Sequence, residues 1–395
     1  MRKRDLAIML SGLTLISVQA FPGWGFEVNE KLSFEGTSTI VYQWLDGSNI
    51  ESRNRGSGAI DLGLSFKPTE NNEFYVLGSF ASGNGLKPEE VSPFILKPNA
   101  DDLEDDVKNI NGHRQQDNIL ELWYAHTFNF NNDTSLKFTA GIIDATKYIA
   151  DNRFADDEIC QFMNEAFVDP PADFTPPSYD LGIVAELTKG PFTLRALGMT
   201  TKTEIGVPQG EEEAKEGFYQ YYALQLGYNL KSKWGEGNYK IFGWYTSDDF
   251  YKRNEKGKDS RYGLGVVIDQ DLGFIKNPFS KDPIGFFLLG AWEDDDTQVN
   301  YDYYISAGFN IPFCFLGKKG NEIGIGYAYL DGADKAEISN THAVEAYAKF
   351  NLFSYEKLNS DLTLDFQYMK DNYKNSSEEK DKEGFIVGFR WNLSF

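Results

Sequence analysis

From about residue 30 to the last residue, apolar and polar side chains take turns along the chain. The closing stretch, GFIVGFRWNLSF, sets Phe385, Val387, Phe389, Trp391, Leu393 and Phe395 on one parity against Ile386, Gly388, Arg390, Asn392 and Ser394 on the other. A strand shows its two faces alternately, so such a segment has one oily face and one mostly wet face. The pattern recurs and predicts sixteen strands, at about 30–44, 56–67, 72–81, 116–128, 134–143, 179–188, 191–200, 217–229, 238–246, 260–269, 283–292, 299–311, 321–330, 341–353, 360–370 and 384–395. Leu362, Leu364, Phe366 and Tyr368, for example, oppose Thr363, Asp365 and Gln367. The segments at 238–246 and 283–292 alternate less cleanly, and their facing is left open.

Segments of about ten residues cross a hydrocarbon core when strands tilt by roughly 45°. Lipid supplies no hydrogen-bond partners, so strands span it only as a closed barrel, and an even number returns both ends to one side. The connections sort into two alternating classes. One is mostly short, as in KPTENN, NFNND and TKGP; the other holds long loops at 82–115, 144–178, 201–216, 247–258 and 371–383. The expected fold is all-β: a 16-stranded antiparallel transmembrane barrel with short periplasmic turns and long extracellular loops. Trp44, Tyr124, Tyr228, Trp292, Tyr329, Phe353 and Trp391 fall near strand ends, where aromatic girdles belong. Barrels of this class commonly end on an aromatic residue that acts as an assembly signal, so Phe395 is expected to engage the barrel-assembly machinery.

Composition agrees. Of 395 residues, 31 are Phe, 22 Tyr, 7 Trp and 37 Gly, an all-β bias on a chain that is 25% charged. No later stretch reaches the 18 apolar residues of a spanning helix. The first twenty residues differ: basic Met1–Arg4, apolar Leu6–Val18 and then Val18-Gln19-Ala20 read as a cleaved signal peptide, 1–20. That leaves 21–395 as a single barrel domain, exported to a bacterial outer membrane. The formal charge of −22 is carried mostly by the long loops, while the short turns are slightly basic.

A barrel this wide holds water, so whatever narrows it sets selectivity. The candidate is the loop at 144–178. Ile159, Phe162, Met163, Ala166 and Phe167 recur at helical spacing, with Asp157, Glu158, Gln161, Asn164 and Glu165 opposite. The spacing predicts an amphipathic helix capped by Asp156 and stopped by Pro170 and Pro171. Its stripe would pack on the inner wall or on the loop at 82–115; the alternative is an external lid. The run GIIDATKYIADNRFADDEICQFMNEAFV, Gly141 to Val168, resembles the carbohydrate-selective porin family, the OprB type. The matching positions are Gly141, Asp144, Tyr148, Asp151, Asn152, Phe154, Ala155, Asp156, Asp157, Glu158, Gln161, Phe162, Met163, Asn164, Phe167 and Val168; LWYAHTF at Leu122–Phe128 resembles the family's fourth strand. Ile149, where the family carries an aromatic residue, and Lys147 depart from it. The resemblance implies passive diffusion of glucose-like sugars through an eyelet. We expect that eyelet to involve Tyr148, Asp151, Asn152, Arg153, Asp156, Asp157, Glu158, Gln161 and Asn164.

Parity places Glu35, Gln43, Asp61, Glu121, Lys137, Glu186, Arg195, Glu345, Lys349, Asp365, Gln367 and Arg390 on the lumen wall. Mixed donors and acceptors there suit neutral sugars, which Tyr148, Phe154 and Tyr179 could also stack against. Eight carboxylates in the 144–178 loop face Lys147 and Arg153, so the channel should favour cations weakly. A general, weakly cation-selective porin is the alternative. An outer-membrane barrel enzyme is remote, since His113, His126 and His342 form no catalytic constellation with Ser and Asp. Cys160 and Cys314 should both be free. No cofactor is expected, although Asp101–Asn109 or Trp292–Gln298 could chelate Ca²⁺ and bridge to lipopolysaccharide. The remaining expected partners are outer-membrane lipid and small sugars, with no nucleic acid.

Overall fold

The computed structural model of the chain describes residues 27–29, 31–86, 92–99, 118–204, 216–247, 250–252 and 257–395. The expected signal peptide (1–20) and the acidic run 101–109 lie outside the described residues. Sixteen long strands form one antiparallel sheet: β1 (Leu32–Ser48), β2 (Arg53–Thr69), β3 (Asn72–Asn84), β4 (Ile119–Asn131), β5 (Thr134–Ile143), β6 (Asp180–Lys189), β7 (Phe192–Glu204), β8 (Glu216–Ser232), β9 (Gly235–Thr246), β10 (Tyr262–Asp271), β11 (Gly285–Glu293), β12 (Tyr301–Phe315), β13 (Lys318–Gly332), β14 (Ile338–Tyr355), β15 (Leu358–Tyr373) and β16 (Lys382–Ser394). Each pairs with the next. β16 returns to β1, with Glu383 opposite Ser48 and Ser394 opposite Thr37, so the sheet closes. All sixteen predicted segments are strands, with ends shifted by a few residues.

The closing seam explains the terminal residue. Phe395 donates its N–H to Gly36 O at 3.0 Å and accepts from Gly36 N at 3.1 Å. Its ring lies over Gly36, where a Cβ would stand 2.5 Å from Phe395 Cζ. A side chain at position 36 would displace the ring from the seam.

Burial is inverted relative to a protein packed in water. Ile60, Leu62, Leu224, Leu226, Leu364, Phe366, Phe385 and Val387 are exposed on the outer face, while Thr39, Gln43, Glu345, Gln367, Arg390 and Asn392 are buried inside. An outward apolar band and a polar interior are what lipid on one side and water on the other demand. The two less regular strands also keep one face to the outside. β9 turns Ile241 and Tyr245 outward and Phe242 and Trp244 inward; β11 turns Trp292 outward and Phe287 and Leu289 inward. Their inward residues are apolar because a loop, not water, covers them.

Candidate functional site

That loop is L3, residues 144–179, between β5 and β6. It lies inside the barrel and crosses it. On one side Arg195 of β7 donates to Tyr148 O (3.0 Å) and to Asp151 Oδ1 (2.7 Å), and Gln225 of β8 accepts from Ala150 N (2.8 Å). Lys240 of β9 pairs with the second Asp151 oxygen at 2.8 Å. Burial alone would raise the Asp151 pKa, but Lys240 and Arg195 hold it below the usual carboxylate range. Across the lumen, Glu345 of β14 accepts from Met163 N (2.7 Å) and Asn164 N (2.8 Å). Arg390 of β16 donates to Glu158 O and to Gln161 O (2.8 Å), and Asn164 donates to Gln367 of β15 (2.9 Å).

The expected helix is therefore corrected. The only α-helix in L3 is Glu165–Val168, capped by Asn164 rather than Asp156. Before it, Asp157 Oδ1 caps a single turn by accepting from Ile159 N and Cys160 N. Wall side chains take the backbone groups that a continuous helix would have used: Glu345 holds two N–H groups, and Arg390 two carbonyls. Phe162, Met163, Ala166 and Phe167 of the apolar stripe are nevertheless buried as anticipated, whereas Ile159 lines the passage instead. Phe162 packs against Phe287 and Tyr347 with ring centroids 5.3 and 5.0 Å apart, and Phe174 against Tyr304 at 4.9 Å.

The loop after β3 (L2) also enters. Lys97 and Glu165 exchange bonds, Lys97 N to Glu165 Oε2 (2.9 Å) and Glu165 N to Lys97 O (3.0 Å). Pro98 O accepts from Gln43 (3.1 Å) and Gln367 (2.9 Å). The sequence signal for this segment was SPFILKPN, an apolar triplet between prolines inside a polar loop; Phe94 and Leu96 are buried.

Between L3 and the wall of β1 to β4 a cavity of about 820 Å³ remains. Its lining reaches from Ser178, Tyr179 and Asn300 at the long-loop end to Glu35, Gly36 and Phe395 at the short-turn end. Its lining thus includes residues near both sets of strand ends. Glu35 and Asp61 on the wall face Asp144, Asp156, Asp157, Glu158, Glu165, Asp169 and Asp173 on the loop, and the cations of the lining are Lys97 and Lys147. Burial pushes the Asp144 carboxyl up to about 6. Asp156 is raised well above the ordinary range by burial and by the Asp169 carboxylate beside it. Tyr179 lines the passage at φ +59°, a left-handed conformation that costs a non-glycine residue roughly 1–2 kcal/mol.

The other anticipated residues sort by surroundings. Asp156, Asp157 and Glu158 reach the passage, as do Glu35 and Asp61. Tyr148 and Phe154 pack against the apolar cluster instead. Asn152 Oδ1 caps a turn at Phe154 N and Ala155 N, Gln161 donates to Arg153 O, and Asn164 is fully buried. Asp151, Asn152 and Arg153 belong to a separate small pocket beside β7 to β9. Glu121 is buried against Lys147, Lys137 lies 3.9 Å from Glu73, Lys349 3.9 Å from Glu322, and Asp365 bonds Gln367. His126 and His342 sit on the outer face beside Asn72 and Tyr327, and His113 lies outside the described residues. Cys160, in L3, and exposed Cys314, near the β12–β13 turn, are both free. Asp169, Asp173 and Lys97 were not singled out from the sequence, and Glu165 was placed only on the polar face of the expected helix, because only the folded L2 and L3 bring them to the passage.

A closed sixteen-stranded barrel, constricted by an inward loop beside a polar cavity, has the architecture of a diffusion channel of the porin class. A model of the carbohydrate-selective porin, OprB family, matches residues 105–395, and the chain belongs to that family. The high-pH structure of Pseudomonas putida OprB is similar with a TM-score of 0.69 at 15% identity, covering 92% of this chain and 94% of that one. Its low-pH structure is similar with a TM-score of 0.53 at 13% identity, over 92% and 93% of the two chains. At these identities the likeness concerns the fold. An uncharacterized protein of Aquifex aeolicus (strain VF5) is 28% identical over 365 residues, 91% of this chain and 93% of its own length. Family and fold together make this an outer-membrane β-barrel porin.

Proposed function

We propose that the channel carries neutral sugars, glucose-like monosaccharides and short oligosaccharides, by passive diffusion through the passage between L3 and β1 to β4. The observation that carries this reading is the fixed constriction. L3 is bonded to strands on both sides of the lumen, so the narrow point keeps its shape and chemistry while solutes pass. Its hydroxyls, carboxylates and the Tyr179 ring offer replacements for a sugar's water shell without a deep trap. Carboxylates outnumber lysines along the passage, which adds a preference for cations. In this reading the long loops face outside, near lipopolysaccharide, the short turns face the periplasm, and Phe395 serves assembly. No step of the function requires catalysis or a cofactor.

The test is single-channel conductance of the refolded protein in planar bilayers with glucose and then maltose titrated in. Saturable block supports a sugar-binding constriction. Open, cation-biased conductance without saturable block would leave a general porin.

A further inference from the structure

L3 divides the lumen unevenly. On the side away from the passage, a second pocket of about 180 Å³ lies between L3 and the wall of β7, β8 and β9. It shares no lining residue with the passage. Thr193 is the second residue of β7, Asn229 is near the end of β8 and Asn238 near the start of β9, so the pocket sits toward the short-turn mouth. Its volume is below the roughly 300–1,000 Å³ of sites for drug-sized ligands, which restricts it to small solutes.

Its chemistry is that of a polyol site. The side chains facing it are polar, and the cations are already matched. Arg195 pairs with Asp151 (2.7 Å) and Glu186 (2.5 Å), Lys240 with Asp151 (2.8 Å) and Arg153 with Asp271 (3.1 Å). An anion would have to break these pairs, whereas a neutral hydroxyl can both donate to a carboxylate and accept from its partner. The Asn152 amide nitrogen and Arg153 Nε are buried without a hydrogen-bond partner in the protein, leaving donor capacity on this wall. The space itself exists because position 227 has no side chain. Gly227 follows Tyr221, Ala223 and Gln225 on the inward row of β8, and a Cβ there would find nothing nearer than 3.7 Å.

We propose that this pocket is a second solute station: a monosaccharide subsite at the short-turn mouth, off the axis of the passage and bounded by the Asp151–Arg153 segment of L3 and by Arg195 and Lys240. The proposal rests on the sugar-channel reading. It adds that glucose is held on leaving or entering at this end, and that the two mouths of the channel differ in how they take up sugar.

The test uses the full barrel inserted into planar bilayers in one orientation, with a membrane-impermeant maleimide on exposed Cys314 reporting which compartment faces the short turns. Glucose is added to either side of the wild type, of Gly227→Val, which fills the pocket, and of Asn238→Leu, which removes a polar wall group without adding bulk at Gly227. Glycine weakens strand interiors, so valine at 227 favours folding. The expected result is unchanged ion conductance in both variants, with glucose association from the short-turn side about tenfold weaker. Association from the long-loop side should be preserved. Glucose binding in the wild type that is the same from both sides and untouched by either substitution would overturn the subsite and leave the sugar channel standing. A wild type insensitive to glucose from both sides would overturn both.

Discussion

Arg390→Met tests whether the wall holds the constriction. Arg390 is 1% exposed and sits on β16, yet its guanidinium serves L3 by donating to the carbonyls of Glu158 and Gln161. Hydrogen bonds from a charged donor contribute about 1.5–3 kcal/mol each, so the pair contributes roughly 3–6 kcal/mol, with the lower end applying if water enters from the passage. Methionine fills much of the volume but leaves both carbonyls unmet. Even ~3 kcal/mol shifts a local equilibrium by about two decades, so the 157–161 turn should detach from the wall for an appreciable fraction of the time. The ladder of β16 with β15 and β1 uses backbone groups and is untouched, so the barrel should still fold and unfold at its usual temperature. Single-channel recordings should show noisier and larger currents, and weaker sugar block, because Asp157 and Glu158 leave their places beside the passage. Glu158→Gln is the control, since it removes the charge and keeps the carbonyl bonds; it should lower cation preference without adding noise. A folded Arg390→Met channel with wild-type conductance and noise would refute the view that this arginine fixes the constriction.

Two further outcomes follow from the loop carboxylates and thiols. Asp144, raised to about 6, and Asp156, also raised, gain protons above the pH of ordinary carboxylates. Cation preference measured by reversal potential should therefore fall as pH drops from 7.5 to 5, and Asp144→Asn should flatten the part near pH 6. The sign for stability is that of an acid with a raised folded pKa: Asp144 binds its proton more readily in the folded state, so its contribution is less favourable as pH rises through about 6. For the cysteines, burial and the nearby Asp157 push the Cys160 thiol up to about 12, whereas Cys314 is exposed. Maleimide labelling at pH 8 should mark Cys314 first and Cys160 more slowly than an ordinary thiol by about fiftyfold, the lower thiolate fraction outweighing its greater nucleophilicity. In Arg390→Met the Cys160 rate should rise, and mass spectrometry after limited labelling checks both statements.

The alternation of apolar and polar residues determined the barrel, because a strand in contact with lipid on one face and water on the other must repeat every two residues, and that period is local. It placed Glu35, Asp61, Arg195, Glu345 and Arg390 on the inner face without any knowledge of their neighbours. The apolar stripe of L3 likewise announced that this loop had something to bury. What the stripe became was decided elsewhere in the chain. Helical spacing yields a helix only when the backbone N–H and C=O groups have no better partners, and here Glu345 and Arg390, about two hundred residues away in sequence, supply them. The same distance hid the facing of β9 and β11: Phe242, Trp244, Phe287 and Leu289 look like lipid-facing residues until L3 is seen to cover them. The division of L3 into residues that reach the passage and residues that hold the loop was also tertiary. Asp151 and Asp156 are the same residue type five positions apart, and only the surroundings, Arg195 and Lys240 for one and the Asp169 carboxylate for the other, separate an anchor from a residue of the passage lining.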